Sequence, residues 1–350
     1  MKKGQKEASM THGTPKRQSR RFLARLGIAM LALGATVGIA ACGGSASGAD
    51  KINLVAYSTP QQVYEDKLEP AFKDTSNGNG VDFSNSFGAS GDQSRAVESG
   101  QPADVVEFSL EPDMTRLVDA GIVGSDWNQN QYKGIVTNSV VTLMVRPGNP
   151  KHITSFDDLA RDDVDVIDPN PATSGGARWN IMAIYGSQIA EGKSEAQAQD
   201  FVKQVLANTS VQDSSARDSL QTFSSGKGDV LVGYENEAIQ AKQEGVDLDY
   251  VTPDSTILIE NPVAVTEDAP DAAQKFLDFL YTDQAQQDFA DAGYRPVVKS
   301  VFEKNASKFP TPAGLFTIAK FGGWSKVADP FFGDDGWVIQ AEKDLGNPTS

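Results

Sequence analysis

The sequence is poor in cysteine, histidine and positive charge. A single cysteine, Cys42, in 350 residues excludes a disulfide scaffold, which needs at least two thiols. Two histidines, His12 and His152, cannot form the His/Cys clusters that hold zinc, and Asp162-Asp163-Val164-Asp165 lacks the spacing of a calcium loop. No metal and no cofactor is therefore expected. Lysine and arginine number 31 against 47 aspartates and glutamates, and the net charge of -16 argues against nucleic acid as a partner, because phosphate binding depends on clustered cations. The apolar run at residues 26–41 is sixteen long, short of the roughly 20 residues that a membrane-spanning helix needs. The length suits two cored lobes at roughly 150 residues per domain.

Residues 1–41 place eight basic side chains and one acid around that short apolar run, the make-up of a secretory signal peptide. The run closes on Ile39-Ala40-Ala41-Cys42-Gly43, which resembles the lipobox of bacterial lipoproteins. That resemblance implies acylation of Cys42 and a lipid anchor on the outer face of the cytoplasmic membrane. Ser19-Arg20-Arg21-Phe22-Leu23 resembles a twin-arginine export signal without its spacer residue. Residues 42–50 then read as a lipidated cysteine and a flexible tether, GGSASGAD.

From residue 51 short apolar runs alternate with amphipathic periods. Strands are expected at 52–57, 81–87, 104–108, 140–145, 164–167, 230–234 and 263–265. Helices are expected at 61–72, 91–98, 113–120, 178–189, 195–207, 215–223 and 272–281. The alternation predicts an α/β fold of mostly parallel sheets wound with helices.

Four strand-to-helix junctions carry small residues with free amides: Tyr57-Ser58-Thr59-Pro60, Gly88-Ala89-Ser90-Gly91-Asp92, Thr173-Ser174-Gly175-Gly176-Ala177 and Asp213-Ser214-Ser215-Ala216-Arg217. A helix start leaves unpaired N–H groups and a partial positive charge, which together bind an oxyanion. Glycine lets the backbone approach closely and serine adds a hydroxyl donor. Each junction alone reads as an N-cap; four together point to a ligand at the carboxyl ends of the strands.

The stretch Asp168-Pro169-Asn170-Pro171-Ala172-Thr173-Ser174-Gly175-Gly176-Ala177-Arg178-Trp179-Asn180 resembles the signature of periplasmic sulfate-binding proteins, the substrate receptors of sulfate/thiosulfate ABC importers. Ala56-Tyr57-Ser58, Gly88-Ala89-Ser90-Gly91, Ser215-Ala216-Arg217, Glu235-Asn236-Glu237-Ala238, Tyr294-Arg295-Pro296 and Phe321-Gly322-Gly323-Trp324 extend the resemblance over nearly the whole mature chain. It implies a two-lobe, type II periplasmic-binding-protein architecture with the ligand in the cleft between lobes. Lobe I is expected to combine residues 51–140 with 262–320, lobe II to hold 141–261, and residues 321–350 to form a C-terminal cover on either lobe. The resemblance also implies the donors: the Ser174 hydroxyl and the amides of Gly175, Gly176, Ser90, Ala216 and Ser58. The chain departs from the pattern twice, with Ser58 where the family has Asp and Tyr234 where it has a Trp indole, so a phenol is expected to stand in for that donor. The implied partners are sulfate or a related oxyanion and a permease with its ATPase, and the receptor is expected to be a monomer.

Other readings are weaker. A receptor for phosphate, molybdate or thiosulfate fits the same junctions. A serine hydrolase does not: a nucleophile elbow at Gly88-Ala89-Ser90-Gly91 would need glycine where Asp92 stands, and beyond the leader only His152 could serve as base. The chain is expected not to be an enzyme. Arg178 and Arg217 are expected to brace their loops through carboxylates, Trp179 and Tyr185 to be core, and residues 267–271 to be a solvated helix start. No residue assigned to the site titrates between about pH 5 and 8, so near-constant affinity is expected there.

Overall fold

The computed structural model describes residues 51–349, so the signal segment, Cys42 and the tether lie outside the described residues. The strands are β1 (Lys51–Tyr57), β2 (Asp82–Gly88), β3 (Val105–Glu107), β4 (Ile135–Val145), β5 (Val166–Ile167), β6 (Thr209–Val211), β7 (Val230–Tyr234), β8 (Asp249–Val251), β9 (Leu258–Val265) and β10 (Arg295–Pro296). The first helical run joins α1 (Gln61–Val63) to α2 (Glu69–Lys73) through a π-helical turn at Tyr64–Leu68. There follow α3 (Ser90–Glu98), α4 (Glu111–Asp119), α5 (Gly175–Ala190), α6 (Glu195–Ala207), α7 (Ala216–Ser224) and α8 (Glu235–Gln243). The chain ends with α9 (Asp271–Leu280), α10 (Asp283–Asp291), α11 (Lys299–Lys304), α12 (Trp324–Phe332) and α13 (Trp337–Leu345).

One curled sheet runs in the order β2-β1-β3-β9-β4-β7-β5-β6, with β8 and β10 paired to β4. Pairing is parallel at its two ends, where β1 joins β2 and β3 and where β5 joins β6 and β7. The expected predominance of parallel strands stops there. Strand β9 lies antiparallel on β3, β4 on β7, and the two pair antiparallel with each other.

The core follows this division into two lobes. Ile52, Leu54, Phe72, Phe276 and Phe289 form one buried cluster beside β1, and Trp179, Ile184, Val202 and Val230 belong to another. The C-terminal helices pack on the second: the Trp324 ring meets Trp179 edge-on at 4.8 Å, and Phe331 meets Tyr185 at 5.1 Å. Gly322 and Gly323 have φ of 87° and 83°, left-handed values that explain the paired glycines before Trp324. Trp179 and Tyr185 are core residues, as read from the sequence. Tyr57 and Leu110, from the β1–β3 side, also join the second cluster, which brings the two lobes into contact at the ends of their strands.

Candidate functional site

The signature stretch builds a turn. The Asn170 carbonyl accepts from the Ser174 amide at 2.8 Å, its side-chain oxygen accepts from the Ala172 amide at 2.8 Å, and its side-chain amide donates to the Pro348 carbonyl at 2.8 Å. Asn180 donates to buried Asp168 at 2.7 Å and to the Val232 carbonyl at 3.0 Å, fixing α5 against β7. The turn presents Ser174 as the N-cap of α5, its oxygen accepting from the Ala177 amide. The Ser174 hydroxyl hydrogen stays available to a ligand.

Gly175 and Gly176 are the first two residues of α5, Ser90 opens α3 and Ala216 opens α7 after the Ser215 N-cap. First-turn amides have no acceptor within their own helix. All seven residues assigned from the sequence, Ser58, Ser90, Ser174, Gly175, Gly176, Ala216 and Tyr234, line one small cavity. Their closeness is direct: a Cβ placed on Gly176 would lie 3.3 Å from Ser174 Oγ, 3.4 Å from Ala216 Cβ and 3.6 Å from Tyr234 Cε1. The two sides of the cleft also meet there, since the Gly91 amide donates to the Thr173 carbonyl at 3.1 Å. A larger groove lies along β4, β9 and β10, but its Arg295 is already held by Glu235 at 2.7 and 3.0 Å. That buried pair accounts for the Glu235 and Tyr294-Arg295-Pro296 stretches as structural.

No charged side chain is among the residues lining the cavity. Tyr57, Thr59, Ala89, Ser109 and Ser215 complete the wall. Four of these fall inside the junctions already singled out; Ser109 does not, and no pattern in the sequence marks it. Ser90 gives its hydroxyl to Asp113 at 2.6 Å, which leaves its amide as the group free to face a ligand. Tyr234 N-caps α8, and its phenol lies 2.6 Å from the Ser109 hydroxyl. The hydroxyls of Tyr57 and Thr59 are buried without a protein partner.

Arg178 braces its loop through a carbonyl where a carboxylate was expected: it donates to Pro171 at 2.9 Å and lies over the Phe332 ring. The carbonyl is within reach because the signature turn folds back over the first turn of α5. Arg217 acts on Glu237 through its charge. His152 is exposed and lies outside the cavity.

Carboxyls behind the wall alter the pH reading. Burial pushes Glu107 up to about 8, opposed by the Tyr64 hydroxyl that bonds to it. Burial likewise pushes Glu237 up to about 7, opposed by the Tyr234 amide and Arg217. Glu237 accepts from the Tyr234 amide at 3.3 Å, so it sits directly behind a wall residue. Burial also raises the phenols of Tyr57, Tyr234 and Tyr294 well above their ordinary value, so they remain neutral donors. Neither carboxyl is among the residues assigned to the site, so the expectation for those residues stands apart from the titration of these two groups behind the wall.

Two α/β lobes around a donor-lined cleft define a solute receptor of the periplasmic-binding-protein class. The chain belongs to the bacterial extracellular solute-binding protein family, whose model matches residues 52–295. A sulfate-binding protein of Synechococcus elongatus is 40% identical over 90% of this chain and 95% of its own length. A thiosulfate-binding protein of Pseudomonas aeruginosa is 32% identical over 85% of this chain and 93% of its own. Among solved structures, the sulfate-binding protein SubI of Mycobacterium tuberculosis superposes with a TM-score of 0.77 at 45% identity, covering 80% of this chain and 98% of that one.

Proposed function

We propose that the protein is an extracytoplasmic receptor that binds sulfate, or thiosulfate, and delivers it to an ABC importer. The observation that carries this reading is the convergence of three helix N-termini and the Ser174 hydroxyl on one cavity whose lining has no charged side chain. Sulfate has no proton to donate at neutral pH, so it needs donors alone; aligned amides supply them with partial positive charge. The relatives' names support the same ligand class. The protein acts as a binding module without catalysis and works as a monomer. Residues 51–140 with 262–320 and residues 141–261 close on the anion as two lobes, and the closed form is what a permease and its ATPase recognise. Cys42 carries the lipid that holds it on the outer face of the cytoplasmic membrane.

Calorimetric titration with sulfate, thiosulfate, phosphate and molybdate tests the reading. Tight sulfate binding with weak phosphate binding is the expected result. A preference for phosphate or molybdate would replace sulfate with that oxyanion, and no binding of any of the four would end the proposal.

A further inference from the structure

Ser109 follows β3, is 1% exposed, and has every polar atom engaged. Its amide donates to Ser90 Oγ at 3.0 Å. Its carbonyl accepts from the Trp179 indole at 2.8 Å and from the Asn261 side-chain amide at 3.1 Å. Its hydroxyl pairs with the Tyr234 phenol at 2.6 Å. The partners come from α3, α5, β9 and the N-cap of α8, so one residue joins both sides of the cleft to a strand that runs between them.

The hydroxyl pair has a definite hydrogen count. Two O–H groups that share one hydrogen bond use one hydrogen and leave the other free. Both residues line the cavity, and neither hydroxyl has a second side-chain partner among the described residues. An anion offers only acceptors, so it fixes the direction of the pair. The hydroxyl facing the anion donates to it while accepting from its neighbour, and that chain polarises the outer O–H bond.

We infer that Ser109 is a positioning residue for the ligand, acting with Tyr234 as one polarised donor that is assembled only when the cleft closes. This deepens the reading of the site as an anion receptor and rests on it. Without the Ser109 hydroxyl the phenol keeps its hydrogen but loses the partner that orients it, and closure loses a contact. The loss belongs in the rate of ligand release, since the encounter between anion and open cleft does not involve the assembled pair.

A double-mutant cycle tests this, using the full chain, Ser109→Ala, Tyr234→Phe and the double variant, with sulfate as probe. Affinity is read by calorimetry and release by stopped-flow fluorescence. Each single change should weaken sulfate binding by about tenfold, chiefly through faster release. The double variant should bind within about threefold of either single one, because the second change removes a donor already disabled. The indole of Trp179 bonds to the main-chain carbonyl of residue 109, so tryptophan emission and sulfate-free melting should stay unchanged in Ser109→Ala. Full affinity in Ser109→Ala, or additive losses of about a hundredfold in the double variant, would overturn the inference while leaving the receptor reading intact. Absence of saturable sulfate binding by the unaltered chain would overturn both.

Discussion

Gly175→Ala separates closure of the cleft from stability of the lobes. A Cβ on Gly175 would lie 2.4 Å from Leu110 Cδ2, 2.7 Å from Ser109 Cβ and 2.8 Å from Ser109 Oγ. Carbon atoms pack best at about 3.5–4.0 Å, so the facing segment has to retreat by about 1 Å. Alanine suits the helix itself, because residue 175 is its first helical position and the amide offered to the ligand is retained. The strain therefore falls on the contact between Ser109 and Leu110, which follow β3, and the start of α5. Overpacking of this size costs about 1–3 kcal/mol, and a hinged protein escapes it by opening. The cost should appear as a sulfate affinity lower by about 5- to 150-fold. Sulfate-free melting should change little, and the gain in melting temperature on adding sulfate should shrink. Calorimetry and thermal melting with and without sulfate read these quantities. Undiminished affinity, or a drop in sulfate-free stability as large as the lost binding energy, would refute the reasoning.

Removing the Ser174 hydroxyl takes a charge-assisted donor from the anion, so Ser174→Ala should weaken sulfate binding by about 1.5–3 kcal/mol, and an unchanged titration would remove this residue from the site. Glu107 and Glu237 hold protons in the fold that the unfolded chain releases above its ordinary 4.5. Stability should therefore fall as pH rises from about 4.5 to about 7–8, by up to about 1.4 kcal/mol per unit for each group, and level off beyond; Glu237→Gln should flatten part of that slope in melting curves, and an identical slope would acquit Glu237. Sulfate binding should weaken above about pH 8, once both carboxyls are ionised behind the wall, and constant affinity from pH 6 to 9 would contradict this. Cys42→Ser should release the protein from the membrane fraction with its sulfate affinity intact; continued attachment would count against acylation at this position.

Much of the fold was legible because burial and periodicity coincide. Strand β7 and helix α6 appear at the expected residues, Val230–Tyr234 and Glu195–Ala207. Six of the seven residues assigned to the site stand at junctions where small residues replace a polar turn, and Tyr234 was assigned through the resemblance; the fold brings all seven to one cavity. What escaped notice shares a different physical cause. Helix α8 was not among the expected helices: its start, Glu235-Asn236-Glu237, has no apolar period, yet all three residues are buried, with Arg295 paired to Glu235 and the Tyr234 amide held by Glu237. The first half of β4 carries Thr137, Asn138 and Ser139, which break the apolar run expected of a strand; Thr137 instead bonds to Asn261 of β9 where the two strands run side by side. Ser109 is an isolated serine in Phe-Ser-Leu, and its role depends on four partners distant in sequence, which no local pattern contains.

The net charge of -16 and a doubly charged ligand are compatible because the field at the cavity is set locally. Exposed carboxylates are screened over roughly 8–10 Å at physiological salt. Burial keeps Glu107 and Glu237 neutral below their raised titration points, and Asp113, raised by burial too, is held by the Ser90 hydroxyl and faces the charge of Arg178. Helix ends contribute about +0.5 elementary charge each, so α3, α5 and α7 together set about +1.5 against the ligand's -2. That charge resides in backbone amides and does not titrate. An arginine in their place would bind any oxyanion strongly and discriminate little between them, whereas a wall of directed N–H and O–H donors favours the anion whose oxygens carry no hydrogen. A protonated phosphate oxygen meeting the same amides would bring donor against donor. On the proposed reading, the hydrogen inventory of the wall disfavours a protonated oxyanion such as phosphate, and titration with sulfate, thiosulfate and molybdate decides among the anions without a proton.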